Sequence, residues 1–126
     1  MNTFRLTFQE YQKLAAATAV YPFVGVSPNS VGETAHCENY IYPALGLCGE
    51  AGEVAEKIKK IIRDKGGAVS IEDKMAIAKE LGDVMWYLAA LCKELDLDMG
   101  EVAQCNLDKL AARASKGTLG GSGDSR

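Results

Sequence analysis

Apolar residues recur at three- and four-residue spacing in four stretches, each closed by glycine, proline or a polar turn. The first stretch predicts a helix from Thr7 to Ala19, with Tyr11 and Leu14 on one face. Residues 21–38 contain Pro22, Gly25, Pro28, Asn29, Ser30 and Gly32 and predict a loop. It is long for a compact domain, and such loops often carry function. A second helix starts between Asn39 and Pro43, where proline is tolerated in the first turn. It runs to Lys65 and stops at Gly66-Gly67. A third begins after Ser70, an N-cap with Asp73 three residues on, and continues to Leu95. Asp96 to Asp98 form a turn, and a fourth helix covers Met99 to Lys116. The glycine-rich residues 117–126 read as an irregular tail. There is no internal repeat, heptad run or strand pair. The expected fold is all-α, a four-helix bundle, with residues 1–116 as one helical domain. The short glycine turn makes the second and third helices antiparallel neighbours.

The pattern is interrupted where it is most apolar. Glu50-x-x-Glu53 lies on the second helix and Glu80-x-x-Asp83 on the third, with 26 residues between the pairs. Residues three apart share a helix face, so each helix presents two carboxylates side by side. On the second helix the acidic stripe borders Leu47, Ala51, Val54, Ala55, Ile58, Ile61 and Ile62, the expected core stripe. On the third it borders Leu81, Val84, Met85, Leu88, Cys92 and Leu95. Packed antiparallel, the two helices bring their acidic stripes face to face. Half-buried carboxylates without counter-charge cost several kcal/mol each, and their mutual repulsion adds to this. A divalent cation relieves both. Four oxygen ligands select a hard ion, Mg²⁺, with Mn²⁺ able to substitute. A solvated acidic face is the competing reading of either pair taken alone.

Other residues extend this picture. Lys57 and Lys60 continue the acidic stripe and are candidates for contacting phosphates. Alternatively they pair within the helix with Glu53 and Glu56. On the fourth helix Asn106, Lys109 and Arg113 share a face and could meet a base or phosphate. His36, Tyr40, Tyr42 and Trp86 are candidates for stacking on a base, with core packing as the alternative for Trp86 and Tyr87. Gly49, Gly52 and Gly82 sit inside helices at about 1 kcal/mol each against alanine. The expected return is close approach of backbone, metal and phosphate.

Composition narrows the classes. The 126 residues suffice for one core, with 48% hydrophobic and 25% charged residues, as in soluble proteins. Net charge is −3, which argues against a nucleic-acid-binding module. The opening M-N-T-F-R carries no apolar run, so no secretion signal is expected, and the longest apolar stretches are far short of a membrane span; a cytoplasmic location is the expectation. Cys37, Cys48, Cys92 and Cys105 form no C-x-x-C pair and read as buried, reduced thiols. One histidine is too few for a zinc site.

The strings L-C-G-E-A-G-E-V-A-E-K-I-K-K and K-E-L-G-D-V-M-W-Y-L-A-A-L resemble the MazG-like branch of the all-α nucleoside triphosphate pyrophosphohydrolases. The tail after Asn106 is similar to the ends of small members, including phage-encoded ones. The resemblance implies Mg²⁺ held by Glu50, Glu53, Glu80 and Asp83. It implies cleavage of a nucleoside triphosphate between its α- and β-phosphates, with Glu50 or Glu53 orienting or deprotonating the water. Lys57, Lys109 and Arg113 would then neutralise phosphate, Asn106 would lie near the nucleotide, and the assembly would be a homodimer or homotetramer. The chain departs from some relatives at Tyr40-Ile41-Tyr42, where they carry Asn or Arg. Alternatives are a phosphoribosyl-ATP pyrophosphohydrolase, a dUTPase-like enzyme, or a non-catalytic antitoxin-like helical partner.

Overall fold

The computed structural model describes residues 5–22 and 39–123. It contains four α-helices and, among the described residues, no strand: α1 (Phe8–Ala16), α2 (Ile41–Lys65), α3 (Ile71–Glu94) and α4 (Met99–Ser115). None is long and apolar enough to cross a membrane. The all-α expectation therefore holds. Most of the loop expected at 21–38, including His36 and Cys37, lies outside the described residues, as do residues 124–126.

Local chemistry sets the helix ends. Thr7 caps α1: its hydroxyl accepts from the Glu10 amide at 3.1 Å, and the Glu10 carboxylate accepts from the Thr7 amide at 2.8 Å. Ser70 and Asp73 make the same reciprocal pair at the start of α3, at 3.1 and 3.0 Å. Each such box satisfies two amides that a helix start leaves without partners. Asp73 also accepts from Lys65 Nζ at 2.7 Å, which ties the end of α2 to the start of α3. The Lys65 contact, and then the Ser70 bonds, hold the Asp73 carboxyl down to about 2. Gly66 closes α2 in the left-handed region at φ 57°. Asp98 caps α4, accepting from the Glu101 amide at 2.9 Å.

Three contacts between α2 and α3 run in opposite order along the two helices: Lys65 with Asp73, Lys57 with Glu80, and Gly46 with Tyr87. The pair is antiparallel, as the short glycine turn predicts. α1 lies across the C-terminal half of α3. There Ala89, Cys92 and Met99 form a buried cluster sealed by Tyr11, Ala15 and Leu88. Two α1 glutamines clamp the α3–α4 turn. Gln12 donates to the Leu97 carbonyl at 2.8 Å and accepts from the Met99 amide at 2.9 Å. Gln9 donates to Asp98 at 3.1 Å. Glu94, at the end of α3, gathers two donors from distant parts of the chain. Tyr21 donates its hydroxyl to one carboxylate oxygen at 2.5 Å, and the Asn39 amide donates to the other. Burial, then Glu94, raises the Tyr21 phenol well above its ordinary range.

The expected core stripes are only partly covered. On α2, Ile61 is buried and Leu47 and Val54 are half-buried, but Ala51, Ala55, Ile58 and Ile62 are exposed. On α3, Leu81 and Met85 are exposed, as is Leu95 just after its end, although Cys92 is buried. Ile62 keeps 63% of its surface open and Met75 62%. The stripe is wider than the surface one facing helix covers, so its outer half is left bare. The thiol expectation is corrected in the same way. Cys92 is buried, and burial raises its thiol, but Cys48 and Cys105 are exposed.

Candidate metal centre

The antiparallel pairing of α2 and α3 brings together acidic residues that are far apart in sequence. Carboxylate oxygens of Glu50, Glu80 and Asp83 all lie within 4.8 Å of one another. Glu50 and Glu80 are half-buried and Asp83 is exposed. Loss of solvent, followed by the charges of Asp83, Glu80 and Glu53, raises the Glu50 carboxyl above its ordinary value. Glu53, the fourth acidic candidate, is exposed and lies outside this group, although its charge reaches Glu50. A cluster of oxygen donors with converging negative charge, and with neither histidine nor thiolate in it, suits a hard divalent cation.

One cation is already beside the cluster. Lys57 Nζ lies 3.0 Å from Glu80 Oε1, across the α2–α3 interface. Of the two sequence readings for Lys57, the pairing with Glu53 is therefore not the one adopted. Lys60 does make its within-helix pair, with Glu56 at 3.5 Å. Both lysines line a cleft of about 220 Å³ with Ile61, Asp64, Lys65, Asp73 and Ala76.

Aromatic residues border the other side. The Tyr87 ring, one turn beyond Asp83, lies on the backbone of Gly46, one turn before Glu50. Burial raises its hydroxyl, and the charges of Tyr42, Glu50 and Asp83 add to this. Burial also raises the Tyr11 hydroxyl, and Asp83 adds to the effect. Neither tyrosine emerged from sequence reasoning as a site residue. Tyr87 was findable, because it follows Asp83 at i+4. Tyr11 was not, because nothing local ties α1 to α3. Trp86 turns toward α1, donating its indole N–H to Thr18 at 2.8 Å and meeting Tyr21 and Tyr87 edge-on. Tyr42 stacks on Tyr21 at 5.5 Å.

The close approaches between protein segments are not at the glycines that flank the acidic motifs. Among the described residues, a Cβ at Gly49, Gly52 or Gly82 would meet nothing within 4 Å. The tight positions are Gly46 against Tyr87 and Gly100 against Gln9. The α4 candidates also separate. Asn106 and Lys109 line a cleft of about 450 Å³ with Leu97, Asp98, Glu101, Val102 and Cys105. Arg113 is buried instead, where it donates to the Gly123 carbonyl at 3.5 Å. α4 packs chiefly on α1 rather than on the α2–α3 pair that carries the acidic group.

Comparisons with known proteins identify the family of the chain. The family model described as the MazG nucleotide pyrophosphohydrolase domain matches residues 42–118, which include both acidic motifs. The chain is similar to the Gene 37 protein of Mycobacterium phage L5. The two are 45% identical over 116 residues, spanning 92% of this chain and 96% of the phage protein. No solved structure matches.

Proposed function

This chain belongs to the MazG nucleotide pyrophosphohydrolase family, and from that premise we propose that it cleaves a nucleoside triphosphate between its α- and β-phosphates. The products are the nucleoside monophosphate and pyrophosphate, and the role is control of the cytoplasmic nucleotide pool. The observation that carries this reading is the convergence of Glu50, Glu80 and Asp83 oxygens within 4.8 Å.

Glu50, Glu80 and Asp83 would hold Mg²⁺, or Mn²⁺ in its place, with Glu53 as a fourth carboxylate at the rim. A bound Mg²⁺ supplies neutralisation of phosphate charge and acidification of a water molecule. Glu53 is open to solvent and adjoins Glu50, which suits it to accept the water proton. As the water oxygen bonds to phosphorus, the bridging P–O bond breaks and pyrophosphate leaves with the electron pair. Lys57 and Lys60, along one cleft, would contact the phosphates as point charges. In a homodimer or homotetramer, Asn106 and Lys109 would reach the nucleotide from the α4 of a second copy. The bare apolar positions Ala51, Ala55, Ile58 and Ile62 support the same assembly. Arg113 is the weakest member of the set, because it is buried against the tail.

The test is a panel of nucleoside triphosphates with Mg²⁺, scoring pyrophosphate against orthophosphate. Pyrophosphate should be the primary product, and Asp83→Asn should lower kcat/KM on the order of 100-fold or more while the helical fold persists. Orthophosphate as the first product would overturn the α–β cleavage.

A further inference from the structure

Among the ion pairs of the described residues, the Lys57–Glu80 contact has a distinct position. Lys59 and Lys60 neutralise Glu56, and Lys65 neutralises Asp73, none of which belongs to the acidic cluster. Lys57 instead reaches across to Glu80, one of the three clustered carboxylates, at 3.0 Å. It does so although Glu53, its within-helix neighbour at i−4, is exposed and available on the same face. The pair is also comparatively sheltered, with the Lys57 and Glu80 side chains 33% and 19% exposed.

We infer that Lys57 is a built-in stand-in for the metal, which holds Glu80 until the metal arrives and is then released toward the substrate phosphates. This rests on the metal-site reading above. The physical reason is that an ammonium and a divalent cation at one carboxylate compete for its lone pairs and repel each other. With no metal, the ammonium offsets part of the repulsion among Glu50, Glu80 and Asp83. When metal binds, that offset becomes a penalty, and the ammonium needs another anion. The cleft it borders also contains Lys60 and Lys65, whose partners Glu56 and Asp73 lie outside the cluster. A triphosphate entering there would give Lys57 its second partner. Metal alone therefore binds weakly, and metal with triphosphate binds cooperatively, with Lys57 as the positioning residue that couples them.

The experiment is calorimetric titration of Mn²⁺, without nucleotide, into the wild-type protein, Lys57→Met and the control Lys59→Met. An α,β-methylene nucleoside triphosphate is then titrated in saturating Mn²⁺. Lys57→Met should bind Mn²⁺ about three- to tenfold more tightly and the nucleotide analogue about tenfold more weakly. Lys59→Met should match the wild type in both. In EDTA, Lys57→Met should melt lower than the wild type and gain more on adding Mn²⁺. Lys57→Gln serves if the Met variant folds poorly. Unchanged or weaker Mn²⁺ binding by the Lys57 variants overturns the stand-in role. Tighter Mn²⁺ with unchanged nucleotide binding overturns the handover to phosphate. Absence of Mn²⁺ binding by the wild type overturns the metal site itself, and is thereby distinguishable from both.

Discussion

Replacing Gly46 by alanine tests whether the approach of α2 to α3 is what assembles the acidic cluster. A methyl group at that position would sit 2.2 Å from Tyr87 Cε1 and 2.5 Å from Cδ1 and Cζ. Carbon–carbon contact is comfortable only near 3.5 Å, so the ring must retreat by about 1.3 Å. It is not free to swing aside, because the Trp86 ring meets it edge-on at 5.0 Å. Overpacking of this kind costs roughly 1–3 kcal/mol. Alanine returns about 1 kcal/mol of helix propensity. With a clash this severe the net loss should be about 1–2 kcal/mol, or a fall of about 4–8 °C in Tm for a chain of this length. Thermal unfolding at fixed protein concentration reads it, since assembly makes Tm concentration-dependent. Gly46 lies one turn before Glu50, so Mn²⁺ affinity should fall as well. Gly49→Ala, Gly52→Ala and Gly82→Ala are internal controls. With nothing within 4 Å of the added carbon, each should hold or raise Tm. Tyr87→Ala should cost less in the Gly46→Ala background than in the wild type. A Gly46→Ala protein that melts at or above the wild type would refute the reasoning.

Further expectations follow from other contacts. Asp73 titrates near 2 against an ordinary 3.8, so its stabilisation is complete above about pH 4 and drains away as pH falls toward 2. Asp73→Asn should flatten that acid limb of the stability profile, and an unchanged limb would count against the Lys65–Asp73 contact. Ser70→Ala should cost about 1 kcal/mol in urea unfolding through the lost cap. Glu94→Ala strips the shared acceptor from Tyr21 and Asn39 and should cost about 1–3 kcal/mol; no change in Tm would argue that the two bonds do not form. Light scattering should find the wild type as a dimer or tetramer and Ile62→Lys shifted toward monomer, whereas a monomeric wild type would remove the assembly proposal.

Much of this protein was legible in its sequence because the signals are local. Thr7 with Glu10, Ser70 with Asp73, and Gly66 act within a few residues, so the chain alone marks where three of these helix ends fall. The Glu50-x-x-Glu53 and Glu80-x-x-Asp83 spacing fixes which carboxylates share a face, because the helical repeat is a local property. Periodicity also ranks faces as apolar, but it cannot say how much of an apolar face a neighbour will cover. That is why Ile61 and Ile62, adjacent in sequence, end up buried and exposed. The partners across helices were likewise decided by packing. Lys57 reaches Glu80 rather than Glu53, Gly46 rather than Gly49 or Gly52 is the close approach, and Glu94 gathers Tyr21 and Asn39. These contacts depend on the rotation and register of one helix against another. Those are set by the summed fit of many side chains across the interface, and no short segment of the chain encodes them.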